Sequence, residues 1–166
     1  MVSVLACMAM LGEPPKPDFM FAGVGYVHRY SKGGLHEYTP TAQTDLTKWK
    51  DMVTLNVYAQ ITDGEGLAKA ANSVLETYEK NGAKVVRTDS VPKKAKSEAE
   101  HLIVVLFPRP DFIEASFARF KMHEGHGVSL VYGHRVYGKA AGDEMAKWLK
   151  AKGEAVSYTH LKTTAR

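Results

Sequence analysis

The chain has 166 residues, 45% of them apolar and 24% charged, enough for one domain with a substantial core and too few for two comfortable ones. Lys and Arg outnumber Asp and Glu by only 22 to 18. With no arginine-rich stripe or interleaved basic and aromatic motif, that balance excludes a nucleic-acid reading and suits an acidic protein partner or an anionic membrane surface equally. The single cysteine, Cys7, rules out an intramolecular disulfide and a cysteine-based structural zinc site.

The first segment, "MVSVLACMAML" (1–11), is an apolar run too short to span a bilayer but of the right length for the apolar core of a secretory signal. Leu5-Ala6-Cys7 looks like the end of a bacterial lipoprotein signal, which would make Cys7 a lipidation site and a means of membrane-surface attachment, although no Lys or Arg precedes the run. The competing reading is a first β-strand with a buried free cysteine. Pro14, Pro15 and Pro17 then make an extended linker, so residues 1–17 stand apart from a single domain at 18–153.

Within that domain, "FMFAGVGYVHRYS" (19–31) and "LHEYTP" (35–40) read as a hairpin around Gly33-Gly34, with Gly23 and Gly25 marking a bulge or a close backbone approach. Residues 41–50 are polar, and Thr44 or Asp45 is placed to cap a short helical turn carrying Leu46 and Trp49. "MVTLNVYA" (52–59) alternates, with Val53, Leu55, Val57 and Ala59 on one face. Trp49, just ahead of it, reads as closure of the core at the end of a sheet rather than as a ligand platform.

Leu67, Ala70, Ala71, Val74, Leu75 and Tyr78 recur at helical spacing, predicting an amphipathic helix over 66–82 that stops at Asn81-Gly82. A strand at 83–90 follows, then a loop holding Lys93, Lys94 and Lys96. Next comes "AEHLIVVLF" (99–107), apolar on both faces and expected near the sheet centre. Strands at 111–122 and 128–138 flank "EGHG" as a second hairpin. A helix at 139–152 ends at Gly153, and residues 154–166 form a polar tail. Strand runs separated by isolated helices predict an α+β fold, an antiparallel sheet with two helices packed on it.

The stretch "EYTPTAQTDLTKWKDMVTLNVY" resembles a segment of small, mostly uncharacterised bacterial exported proteins, in which a Y-x-P piece leads to W-x-x-M-V-T and a strand. The element order is similar to that of the PsbP-like fold, an αβα-sandwich-like arrangement. The resemblance implies an exported, periplasmic or membrane-anchored accessory or assembly protein that binds a protein partner and has no enzymatic activity; a cytoplasmic location is the alternative. Fold analogy alone supplies no function.

Residues grouped for chemistry are few in the chain. "MHEGHG" gathers His123, Glu124 and His126 at one turn, a set that could take a divalent metal and so support a periplasmic metal or small-ligand carrier. With no helix to fix the H-x-x-H spacing and no third distant ligand, a solvated turn is the preferred reading. No nucleophile motif and no phosphate loop occurs, so neither a catalytic residue nor a cofactor is expected. Lys93, Lys94 and Lys96 could meet an acidic partner. Phe112 and Phe120 fall on one face of the late hairpin, which becomes a partner surface if the chain leaves that face uncovered.

Overall fold

Alternation over 52–59 puts that segment at the middle of one antiparallel sheet in the computed structural model, which describes residues 16–95, 97–153 and 156. In chain order the elements are β1 (Phe19–Phe21), β2 (Val24–Lys32), β3 (Leu35–Pro40), β4 (Asp51–Tyr58), α1 (Gly64–Lys80), β5 (Lys84–Val91), β6 (Glu100–Pro108), β7 (Phe112–His123), β8 (His126–Tyr137) and α2 (Ala141–Trp148). A π-helical turn at Leu149–Gly153 continues α2. The eight strands lie in the order β1-β2-β3-β4-β8-β7-β6-β5. The fold is α+β, with two helices on an antiparallel sheet. Helix α1 carries the chain from the centre of the sheet to its far edge, and β6, β7 and β8 return by hairpins to meet β4.

Each face of the sheet has its own cover. On one, Leu67 and Ala71 of α1 pack on Ile103, Val105 and Phe107 of β6 and on Ala118 and Phe120 of β7. On the other, Met145 and Trp148 of α2 join Phe21 and Tyr26 over Val53, Val104, Ala115, Phe117 and Tyr132. Because β6 sends odd residues to one cluster and even residues to the other, its unbroken apolar run is explained. It is nevertheless one strand from the edge, not central. Coverage on both faces makes a strand apolar throughout, whatever its distance from the sheet margin; β4 and β8 are the central pair.

Helix α1 begins two residues earlier than its apolar stripe predicts. Asp63 is the N-cap, its Oδ1 accepting the Gly66 N–H at 2.7 Å, and the helix ends at Asn81 with Gly82 at φ 82°. The segment 19–31 is not one strand: Ala22 (φ 47°) and Gly23 (φ 80°) turn the chain, so β1 and β2 form a hairpin of their own. Gly25 does mark a close approach, since a Cβ there would lie 2.8 Å from Pro17. The bulge falls farther along, between His28 and Tyr30.

No helical turn forms within 41–50. Asp45 Oδ1 instead accepts both the Thr47 N–H (2.8 Å) and its hydroxyl (2.6 Å), a local turn that competes with a helical start. Trp49 is buried, as core closure requires, at 7% exposure. Its ring lies against the backbone of Gly133, where a Cβ would come within 2.8 Å of it, and the Arg135 guanidinium stacks on it at 3.7 Å. The Tyr137 hydroxyl donates to the Trp49 carbonyl at 2.9 Å, and Glu114 holds Arg135 at 2.8 Å. Glycine at 133 is what admits the indole. Trp49→Ala should therefore lower unfolding stability by about 3 kcal/mol or more; equilibrium denaturation measures it, and a loss well under about 1 kcal/mol would rule out core closure.

Candidate functional site

Pairing of β4 with β8 sets Asp51 opposite His134 and Val53 opposite Tyr132, all on the α2 side of the sheet. Asp51 Oδ1 accepts the Tyr132 hydroxyl at 2.6 Å and lies 2.8 Å from His134 Nδ1. The Trp148 indole stacks on the His134 ring, centroids 4.1 Å apart and planes 7° from parallel. Gln43 Oε1 supports the strand from behind, accepting the Lys50 N–H at 2.6 Å and the Asp51 N–H at 3.2 Å.

The electrostatics of this cluster follow from burial. Desolvation pushes the Asp51 carboxyl up, but the hydrogen bonds from His134 and Tyr132 outweigh it and the net shift is downward. Burial, reinforced by the Asp51 charge, holds the Tyr132 and Tyr26 phenols well above the usual range, so both stay neutral donors. In a neutral ring, donation of Nδ1–H to Asp51 would leave His134 Nε2 with a lone pair, the arrangement of a general base. Among the described residues no hydrogen bond reaches Nε2 and no hydroxyl or thiol is bonded to it. What the geometry does is fasten α2: the Asp51 carboxylate orients the imidazole, and the imidazole seats Trp148.

The residues singled out in the sequence are dispersed. His123 and His126 face each other across the two-residue turn Glu124-Gly125, both in left-handed conformations. His126 Nδ1 is 3.0 Å from the Ala59 carbonyl, and among the described residues no group of three His, Cys, Asp or Glu side chains could hold a metal ion. The turn therefore does not gather His123, Glu124 and His126 as a ligand set. A second histidine pair does share a hydroxyl: Ser31 Oγ lies 2.6 Å from His28 Nε2 and 2.8 Å from His36 Nδ1 on the β2–β3 hairpin.

Phe112 and Phe120 lie on one face, as alternation predicts, but not as a free surface. Phe120 is fully buried beneath α1, and Phe112 is covered by the Arg135 guanidinium at 4.4 Å and the Tyr137 ring at 5.4 Å. Both faces of the late hairpin found cover within the chain. Lys93 and Lys94 are exposed, Lys93 paired with Glu98 at 3.1 Å and Lys94 bridged to Ser97. Lys96 and Cys7, with the rest of 1–15 and the tail apart from Val156, lie outside the described residues.

The exposed apolar groups are elsewhere. β5 is the outer strand, paired only with β6 among the described residues, and it exposes Val85 (42%), Val86 (51%) and Val91 (46%). Val86 is the extra residue of a bulge between Val85 and Arg87, and Arg87 pairs with Asp89 two residues on. Ser90 Oγ meets His101 Nδ1 at 2.9 Å and helps tie β5 to β6. Mixed Val and charge in "KVVRTDSV" was the available sequence signal, but only the strand order turns it into an edge.

No family model matches the chain, and no curated protein matches its sequence. Among solved structures it is similar to the Saccharomyces cerevisiae Ran-binding protein Mog1p, with 10% identity and a TM-score of 0.49 over 80% of this chain and 79% of that one. A Mog1 mutant structure gives 11% identity and a TM-score of 0.49 over 83% and 86%, and human STARD10 gives 10% and 0.34 over 81% and 71%. These are likenesses of outline and assign no residue here.

The lowered Asp51 pKa has a definite consequence for stability. A carboxylate depressed by folding contributes stability that is complete above its unfolded value near 3.9 and is lost as pH falls through the folded value. Thermal midpoints of the wild type should fall as pH drops below about 4, and Asp51→Asn should flatten that acid limb while lowering the neutral-pH midpoint. Identical acid limbs for the two proteins would show that the carboxylate is not part of the clasp.

Proposed function

We propose that the chain is an accessory protein that binds another protein, without catalysing a reaction, and that the partner docks as an added strand along the outer edge of β5. The observation that supports this is the edge itself: eight residues long, with three exposed valines beside the exposed Lys93 and Lys94. An unpaired strand edge offers a row of backbone donors and acceptors, and alternate side chains supply selectivity. The imidazole with the most base-like setting, His134, is committed to Trp148.

The export part of the reading rests on the 1–11 run and Leu5-Ala6-Cys7, and the PsbP-like kinship on residues 37–58 and the element order. A carrier of metal or small ligand at His123, Glu124 and His126 gains nothing from the turn geometry.

The partner retained by the protein on purification from its native host is to be identified by mass spectrometry and its affinity remeasured with Val86→Lys and Val91→Lys. Each substitution should weaken binding about tenfold or more by burdening the edge with a charge, with the secondary structure unchanged by circular dichroism. Equal affinity in both variants rejects the edge as the docking element. An acyl mass on Cys7 of the same material is the expected mark of export to a membrane surface; an unmodified Cys7 with Met1 retained would reject it.

A further inference from the structure

The geometry points to a second copy of this chain as the strand that docks on β5, in one register with its two-fold axis at Thr88. This rests on the edge being the docking element. An antiparallel strand pairing with its own copy must place residues of the same sheet face opposite each other, so the axis has to pass through a residue position.

Few positions are available in β5, and charge separates them. An axis at Arg87 sets guanidinium against guanidinium, and an axis at Asp89 sets carboxylate against carboxylate. An axis at Ser90 puts Arg87 opposite Lys93, and one at Val86 falls on the bulge. Axes at Lys84, Val85 and Val91 lie at the ends of the strand, where few residues of β5 could pair; the last would set Asp89 opposite Lys93, but only beyond the strand and past Pro92, which has no N–H to donate. At Thr88 alone, Arg87 of each copy faces Asp89 of the other, giving two opposite-charge cross-strand pairs around a Thr88–Thr88 centre.

The local structure suits that register. Arg87 and Asp89 are paired to Val104 and Leu102 of β6, so both project on the same face, and they already form an ion pair within the strand. A guanidinium has five donors, enough to serve a carboxylate of a second strand as well as partners within its own chain. The bulge ends before Arg87, leaving residues 87–91 in regular pairing with β6. Docking brings Val91 of one copy to the Val85–Val86 bulge of the other, which covers the exposed valines. Two eight-stranded sheets become one continuous sheet.

The test uses the full chain with Cys7→Ser. Thr88→Cys places two thiols across the axis with Cα atoms about 4.5–5.5 Å apart, within disulfide range, so mild oxidation should give a covalent dimer. Val91→Cys, well off the axis, should not. Light scattering across a concentration series should show a reversible dimer. Arg87→Asp or Asp89→Arg alone should raise its dissociation constant about tenfold or more, and the double exchange, which restores opposite charges, should recover it.

A wild type of monomer mass at every concentration overturns the inference, as does equal cross-linking at residues 88 and 91. If that monomer still binds its native partner and loses it in Val86→Lys, the second-copy inference fails while strand addition at β5 stands. If the dimer forms in the predicted register while both lysine variants bind the partner normally, the inference stands and partner docking at this edge fails.

Discussion

Everything on the sheet depends on the pairing of β4 with β8. The other contacts between adjacent strands join hairpins or near neighbours in the chain, but this one joins the first four strands to the last four. Closing so long a loop costs entropy that grows slowly with length, yet it must be met before the contacts reward it. Side-chain chemistry along the seam specifies the register. Asn56 Nδ2 donates to Ser129 Oγ at 3.0 Å, Tyr58 reaches the same hydroxyl at 3.1 Å, and Asp51 meets His134 and Tyr132 at the other end. A slip by one residue would turn Val53 from the core to the opposite face and put Asp51 out of register with both partners.

Once that seam is set, the two clusters complete each other across it. Tyr132 stands between Phe21, Phe117 and Trp148, with ring centroids 5.0, 6.3 and 6.2 Å away, so β1 and α2 converge on one residue of β8. On the opposite side Gly133, the next residue, gives room to Trp49. One dipeptide of β8 thus receives an aromatic from above and another from below. The half-buried pairs Arg135–Glu114 and Arg119–Glu100 flank this zone; the second is bidentate at 2.7 and 2.6 Å. Ion pairs of this kind contribute more to fixing neighbouring strands in place than to net stability, because desolvation offsets much of their attraction.

Local periodicity made the segments of this fold legible, and distance hid their partners. The stripe from Leu67 to Tyr78 announces a helix because period 3.6 is visible within one segment, and the alternation at 52–59 announces a half-covered strand in the same way. Gly23 was ambiguous, since a glycine in an apolar run serves a bulge, a close approach or a turn equally well, and its positive φ chose the turn. Phe120 was legible as apolar but not as covered, because its cover, α1, lies far back in the chain. The Asp51–His134 contact was beyond reach for the same reason: 83 residues separate the partners, and only the β4–β8 register joins them.

Cover on both faces of the late hairpin has a consequence for how this molecule meets others. A sheet with one bare face can bind through a broad apolar surface, whereas here α1, α2 and β1 leave no large core residue of the late hairpin exposed. Association is then directed to edges and loops. The two edges differ: on one side β1 covers only Val24–Tyr26 of β2, so that margin steps from the three-residue β1 to Val27–Lys32 of β2, while the eight residues of β5 form the whole of the other. Short strands, bulges and charges are the usual protection of an edge, and β5 carries a bulge and both signs of charge. Charge of one sign repels every like strand, but Arg87 and Asp89 two residues apart repel the registers centred on either of them and match the one centred on Thr88. The same side chains that keep random strands off this edge therefore select a partner of defined sequence and direction.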